Sequence, residues 1–269
     1  MRNAIGGDPG NSSTPQQRGG VGLRELGTLT GGMQWDIVEP GMTVAIGIID
    51  PSGEIAVAAD TREYAESPLG LRDGALKSVR LNSGAALVVS GDAVQCNVLV
   101  ANLYGRHEEA KAGCKDTIAR VERDGTEADG IPFVLSYKIS SYFSQLKTRC
   151  DEEEMEYPRL NAILVGREKD RACLGFWLRC DNWKHQFGEF SGLDEPRYAV
   201  TGPGNPPDVR PIFDATDRSV WERIAQVAGI YRELCPCAVN EDIQVRRAAD
   251  DFAIRPLSVL FSNSPSRDP

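Results

Sequence analysis

Thr43 opens a run, Gly41-Met42-Thr43-Val44-Ala45-Ile46-Gly47, and is followed in order by Asp60, Lys77 and Gly91. These are a hydroxyl, a carboxylate, an amine and a backbone position free of a side chain. A threonine nucleophile needs that set. Its hydroxyl is inert at neutral pH until a neighbouring group lowers its effective pKa or takes its proton. Acyl transfer by a hydroxyl is therefore the chemistry to test against the elements that would carry these residues.

Those elements read as strands. The segment from Thr43 to Ile49 is apolar and β-rich, Asp50-Pro51-Ser52-Gly53 is a turn cluster, and Glu54 to Ala59 returns as a second strand ending at Asp60. A hairpin of this kind brings Asp60 back beside Thr43. A third short strand, Leu76 to Leu81, carries Lys77. A fourth, Ala85 to Ser90, ends at Gly91-Asp92 before a helical stretch. All four groups can then converge. Each also has an ordinary account: a β-branched strand residue, a loop cap, a solvated charge and a turn glycine.

At these residues the chain resembles the proteasome β-subunit and HslV family of N-terminal-nucleophile hydrolases. The matching words are the Thr43 strand, Val57-Ala58-Ala59-Asp60-Thr61-Arg62, Leu76-Lys77-Ser78-Val79 and Val89-Ser90-Gly91-Asp92-Ala93. The likeness is strongest over Thr43 to Leu103, roughly a quarter of the chain, and is nearest to bacterial proteasome-like proteins that begin Met-Thr. It implies an α+β fold, a four-layer αββα sandwich. It also implies roles. Thr43 Oγ attacks the scissile carbonyl, and its free α-amine, with a pKa of about 8, accepts the proton. Lys77 lowers the hydroxyl's pKa and relays that proton, held close and partly desolvated because a free lysine stays protonated up to about pH 10.4. Asp60 pairs with Lys77 and fixes its direction. The Gly91 N–H faces the developing oxyanion, a contact class worth about 10²- to 10³-fold in rate.

By the same resemblance Ala75, Val89 and Ala93 line the pocket for the residue before the cut bond, and their small apolar side chains imply a hydrophobic preference there. Arg62 supports Asp60. The family's serine in a Gly-Ser-Gly turn is displaced here, because Thr201-Gly202-Pro203-Gly204 puts proline at that place, with neither hydroxyl nor N–H. Glu233, in Arg232-Glu233-Leu234-Cys235-Pro236-Cys237, stands where an aspartate is expected. The implied setting is cytoplasmic: a homo-oligomeric ring acting on peptide or unfolded protein, with a regulatory ATPase as a possible partner.

The nucleophile works only as residue one, so residues 1–42 must be removed. They are rich in Gly, Pro, Ser and Gln and too poor in apolar surface to offset the entropy of ordering. The expectation is a disordered leader over 1–42, a hydrolase domain over 43–262 and a loose tail over 263–269. Either the leader is a propeptide cleaved autocatalytically, or Met42 is the true start and is trimmed because Thr43 is small. The second route is favoured, since Gly41 lies one place too early for the usual glycine before the cut.

Further on, Asp92 to Tyr104 reads helical, with Val94, Val98 and Ala101 on one side. Pro132 suits a helix start, with Leu135, Ile139, Tyr142 or Phe143, and Leu146 following at helical spacing to Cys150. Leu160 to Val165, Ala172 to Leu178, Trp183 to Phe190 and Arg197 to Thr201 read as the meander of a second sheet. Ser219-Val220-Trp221-Glu222 is a capping box, opening a stripe of Val220, Ile224, Val227, Tyr231 and Leu234. Strands near Ile243 and over Phe252 to Ile254 close the fold.

Composition narrows the function classes. With 269 residues, 41% of them hydrophobic, the chain can bury a sizeable core. A net charge of −9 argues against nucleic acid or anionic membrane as partner. No stretch approaches the ~20 apolar residues of a membrane span. Seven scattered cysteines do not form a secreted disulfide framework. Asp151 to Glu156 reads as a solvated acidic run, and Cys235-Pro236-Cys237 lacks a second ligand pair, so neither a metal nor a cofactor is expected. The readings that remain are a threonine peptidase, a catalytically silent scaffold subunit of the same fold, and a small-molecule amidohydrolase.

Overall fold

Alternation within the first hairpin assigns each strand face to a different core. The computed structural model describes residues 36–40, 43–64, 71–106, 108, 117–179, 183–247 and 252–257. Contacts divide the chain into Met1–Gly32 and Met33–Pro269, and every described residue lies in the second unit. Strand β2 (Ala45–Ile49) pairs antiparallel with β3 (Ile55–Asp60), Ala45 opposite Ala59 and Ile49 opposite Ile55. Both are buried along their whole length. Ile46, Ile48, Ala56 and Ala58 face one apolar cluster, whereas Ala45, Ile49, Ile55, Val57 and Ala59 face another. Burying an isoleucine side chain in this way contributes about 1.5–3 kcal/mol.

The remaining strands form two main sheets and one short ribbon. The N-terminal strand β1 is Asp36–Pro40, and β4 (Glu63–Tyr64) with β5 (Leu71–Arg72) makes the ribbon. Strands β6 (Ser78–Asn82), β7 (Ala85–Gly91), β8 (Leu160–Glu168), β9 (Arg171–Arg179) and β10 (Trp183–Ser191) make a five-stranded antiparallel sheet. The six-stranded sheet has the order β1-β11-β2-β3-β12-β13, where β11 is Arg197–Gly202, β12 Asp242–Arg247 and β13 Phe252–Pro256. Between the sheets Ala45, Val57 and Ala199 meet Ala86, Val88, Ile163 and Leu174. The sheets approach closely at Gly47, where a Cβ would lie 2.4 Å from an Ile163 methyl.

Helices cover the outer faces. Helices α1 (Ala93–Leu103), α2 (Thr117–Asp124) and α3 (Pro132–Glu152) bury Leu99, Val100, Val121, Leu135, Ile139, Phe143 and Leu146 against Leu87, Val89 and Leu164. The short α4 (Arg210–Phe213) and α5 (Val220–Leu234) bury Phe213, Ile224, Val227 and Tyr231 against Ile46, Ile48 and Ala58. The capping box of α5 is complete, with reciprocal Ser219 and Glu222 bonds.

Several expectations are corrected. Lys77 precedes β6 rather than lying in it. Arg197–Gly202 leaves the meander and joins the other sheet beside β2, because it pairs Thr201 with Ala45 and Tyr198 with Ile48. On α1 the buried residues are Cys96, Leu99, Val100, Ala101 and Leu103, so Ala101 faces the core as expected, whereas Val98 is half-buried and Val94 is 63% exposed. Leu234, at the last turn of α5, points to solvent. Within the leader read as disordered, Asp36–Pro40 forms β1 and pairs in parallel with β11, Asp36 opposite Tyr198 and Pro40 opposite Gly202. An unpaired β11 edge offers backbone donors and acceptors, and local composition does not register that pull. The rest of the leader and the tail over 263–269 lie outside the described residues.

Candidate functional site

The open end of the β2–β3 hairpin holds the first three candidates together. Asp60 N donates to the Val44 carbonyl at 3.2 Å, and the Asp60 carboxylate accepts in return from Val44 N at 3.0 Å. This two-way tie locks the end of β3 to the residue after Thr43. The chain next turns at Thr61-Arg62, and Arg62 N donates to Asp60 Oδ2 at 3.0 Å. Asp60 is fully buried, Thr43 is 6% exposed and Lys77 9%.

Lys77 Nζ points into this corner. It donates to Thr43 Oγ1 at 3.1 Å, to Asp60 Oδ2 at 3.2 Å and to the Arg62 carbonyl. An ammonium has three N–H bonds, and three acceptors meet them. An ammonium donating to Thr43 Oγ1 as Lys77 does can polarise that hydroxyl and stabilise negative charge on its oxygen. The Thr43 hydroxyl proton is left free for another acceptor. Burial lowers the Lys77 pKa below its ordinary value, opposed by the Asp60 charge. Burial likewise raises Asp60, opposed by Lys77 and by the N–H groups of Arg62 and Val44. Both groups are biased towards their neutral forms.

Backbone contacts fix the corner from outside. Thr201 Oγ1 on β11 donates to the Thr43 carbonyl at 3.3 Å. Val89 N donates to the Lys77 carbonyl at 2.9 Å. The fully buried Gln244 on β12 accepts from Lys77 N at 2.9 Å. Asn240 clasps Thr61 through both its backbone N–H and its hydroxyl. None of Thr201, Asn240 or Gln244 is a candidate from sequence, since a polar residue in or beside a strand carries no local mark of what it faces.

The other candidates separate by position. Gly91 ends β7 at φ +112°, and a Cβ there would lie 2.3 Å from the Arg159 carbonyl oxygen, so the backbone excludes any larger residue. It directly precedes Asp92, whose side chain caps α1 by accepting from Gln95 N. Arg62 forks onto Asp73 (2.9 and 3.3 Å) and donates to the Pro236 and Cys237 carbonyls. That grip ties the Asp60 loop to the chain after α5. Of the three pocket candidates, Ala75 is half-buried and Ala93 exposed, whereas Val89 is 1% exposed inside the α1–α3 core and presents no surface to a ligand. Glu233 is exposed and makes no hydrogen bond to Thr43, Asp60 or Lys77. Pro203 is buried, and its carbonyl lies 3.7 Å from Cys235 Sγ.

Among the described residues no group of three or more His, Cys, Asp or Glu side chains could hold a metal ion, and no helix is long and apolar enough to cross a membrane. Asp151, in the acidic run, accepts from Lys147 and Tyr157.

No family model matches the sequence, and no curated protein matches it. Among solved structures the chain is similar to Anbu, an ancestral beta-subunit, from Yersinia bercovieri. The TM-score is 0.54 at 11% identity, covering 82% of this chain and 92% of that one. It also matches an Anbu (Gly-1) mutant from Hyphomicrobium sp. strain MC1, with TM-score 0.48, 15% identity and coverage of 82% and 94%. HslV from Trypanosoma brucei matches with TM-score 0.48, 12% identity and coverage of 76% and 98%. The Yersinia likeness carries the fold: this chain has a proteasome-like α+β fold with two sheets and flanking helices.

Proposed function

We propose that the protein is a threonine-type peptidase of the proteasome class, built as an αββα sandwich, in which Thr43 becomes the N-terminal nucleophile once residues 1–42 are removed. The observation that carries this reading is the Lys77 ammonium, 3.1 Å from Thr43 Oγ1 and anchored by Asp60. A peptide-bonded Thr43 nitrogen cannot accept a proton, whereas a freed α-amine can. In the reaction Thr43 Oγ bonds to the carbonyl carbon of the substrate and its proton passes to that amine. The carbonyl π-pair moves onto oxygen and is met by the Gly91 N–H. Collapse expels the leaving amine, which takes the proton, and leaves an ester on Thr43. Water then attacks the ester, releasing the acid and restoring the hydroxyl.

Thr43 is freed either because translation starts at Met42, which is then trimmed, or by self-cleavage at the Met42–Thr43 bond. The working form in this reading is a cytoplasmic homo-oligomeric ring acting on peptide or unfolded protein, with an ATPase as a possible regulator. Ala75 and Ala93 favour a small or apolar side chain before the cut. The test is the intact mass and N-terminal sequence of the protein expressed from its native locus, followed by turnover of a peptide with a hydrophobic residue before the cut. A chain beginning at Thr43, with activity lost in Thr43→Ala, supports the peptidase. A stable chain beginning upstream of Thr43 sinks it.

One specific observation favours a second reading, a silent scaffold subunit. Pro203 and the exposed Glu233 do not supply the extra hydroxyl and carboxylate that the resemblance calls for. On that reading Thr43 and Thr43→Ala proteins assemble alike and neither cleaves peptide.

A further inference from the structure

We infer that Gln244 is a positioning residue for Lys77, a side-chain amide that reaches from one sheet to the other and sets where the lysine enters the site. The inference rests on the threonine-nucleophile reading above.

Three observations carry it. Gln244 is fully buried, opposite Ala59 in the β3–β12 ladder, while its neighbours Ile243 and Val245 face the α5 core. Its side chain therefore lies on the face that meets the other sheet. The apolar side chains between the sheets are alanine, valine, isoleucine, leucine and phenylalanine, with Ser78 and Arg246 buried as polar groups beside Gln244, so the amide is accounted for by its hydrogen bonds rather than by apolar packing. Every contact of its polar atoms goes to one short segment. Oε1 accepts from Lys77 N at 2.9 Å, Ser78 N at 3.2 Å and Ser78 Oγ at 3.3 Å, and Nε2 donates to the Ala75 carbonyl.

The segment needs such an anchor. Residues 75–77 precede β6 and lie outside its ladder with β7. Their other backbone ties are Ala75 N to the Thr61 carbonyl and the Lys77 carbonyl to Val89 N. A buried amide that loses its partners costs free energy, so the preference is mutual: Gln244 holds 75–78, and 75–78 justifies Gln244. Rotation of this segment would swing Lys77 Nζ away from Thr43 Oγ1 while leaving Asp60, on β3, in place. Misplacement of about 1 Å at a reacting group can cost on the order of 10²-fold.

The test uses the full chain with Thr43 freed, and an electrophilic β-lactone that acylates the threonine hydroxyl, read by intact mass. Wild type, Gln244→Met, Gln244→Glu and Thr43→Ala are compared at several lactone concentrations, with thermal melts to establish folding. In folded Gln244→Met the maximal acylation rate should fall about 10- to 100-fold, with the half-saturating concentration within about 2-fold of wild type. Gln244→Glu retains an acceptor for Lys77 N, and its rate as a fraction of the wild-type rate at the same pH should rise as the pH is lowered and its carboxyl takes a proton. The ionisable side chains that interact with Lys77, namely Asp60, Glu63, Asp73 and Cys96, are unchanged in every variant. Acylation within about 3-fold of wild type in folded Gln244→Met overturns the inference, as does a rate loss matched by an equal rise in half-saturation. Should Gln244→Met not fold, a Gln244→Glu protein that folds and shows no pH-dependent recovery overturns it equally. If wild type and Thr43→Ala are alike inert to the lactone, the nucleophile reading itself fails and this inference fails with it.

Discussion

The β2–β3 hairpin has a buried aspartate near each end, and the two have opposite fates. Asp50, at the turn, pairs with Arg223 of α5 and accepts from Ser52 N. Burial pulls its pKa up, but the Ser52 and Arg223 hydrogen bonds outweigh that pull and hold it below the ordinary 3.8. Asp60, at the open end, pairs with Lys77, and there burial wins and raises the carboxyl. The partners explain the contrast. A guanidinium cannot surrender its proton, so Asp50–Arg223 is a fixed pair of charges joining the hairpin to α5. A buried ammonium can, so Asp60–Lys77 is a pair in which a proton has somewhere to go. One ion pair holds fixed charges and the other can exchange a proton, with the two aspartates 10 residues apart in the same hairpin.

The largest test of this contrast is at Thr43, the nucleophile proposed above. Thr43→Ala should lower peptide turnover about 10⁴-fold or more while leaving the melting temperature of the protein nearly unchanged. Next, Lys77→Met should remove nearly as much activity, measured as kcat/KM on the same peptide. Its stability cost should stay below that of Arg223→Ala, because Asp60 can protonate when its partner goes. Arg223→Ala, by contrast, strands a charged Asp50 in the interior and should cost about 3–5 kcal/mol by urea unfolding, with the folded fraction retaining activity within about 2-fold. Equal stability losses at the two pairs would dissolve the distinction.

Acid titration sharpens it with opposite signs. A carboxyl lowered in the folded state contributes stability that is present above 3.8 and lost as pH falls through its folded value. Asp50→Asn should therefore flatten the acid limb of the unfolding free energy below about pH 4. A raised carboxyl does the reverse: the native state holds its proton longer than the unfolded chain, so its contribution declines as pH rises above 3.8. Wild type should lose ground against Asp60→Asn over that range, measured by denaturant titration at steps from about pH 3 to 7. The smallest effect is kinetic. Burial pushes the Cys96 thiol, beside the site on α1, up to about 12, and Cys173 likewise, whereas Cys237 is exposed. Peptide mapping after brief alkylation should find Cys237 modified and those two protected.

Much of the site was legible because its signals are local. The hairpin that sets Asp60 beside Thr43 follows from two apolar runs and one turn cluster, and the Ser219 capping box needs four residues. What escaped the sequence reading depends on which sheets touch. Arg197–Gly202 has the same alternation in either sheet, and its place is set by its ladder with β2, Tyr198 opposite Ile48 and Thr201 opposite Ala45. Gln244 is one glutamine in a strand until a second sheet lies against it. The resemblance makes Val89 a pocket wall, but strand alternation turns it to the helix side with Leu87.

The strand before Thr43 has one further consequence. β1 and β2 flank β11 on opposite sides, so the linker at residues 41–42 joins two strands separated by a third. While that linker is intact, β1 meets the β11 edge through a five-residue ladder at the high effective concentration of a tethered ligand. Cutting the linker leaves the ladder unchanged and abolishes the tether. If Thr43 is freed by self-cleavage, as proposed above, the leader is left as a separate peptide held by that ladder alone, and dilution favours its departure.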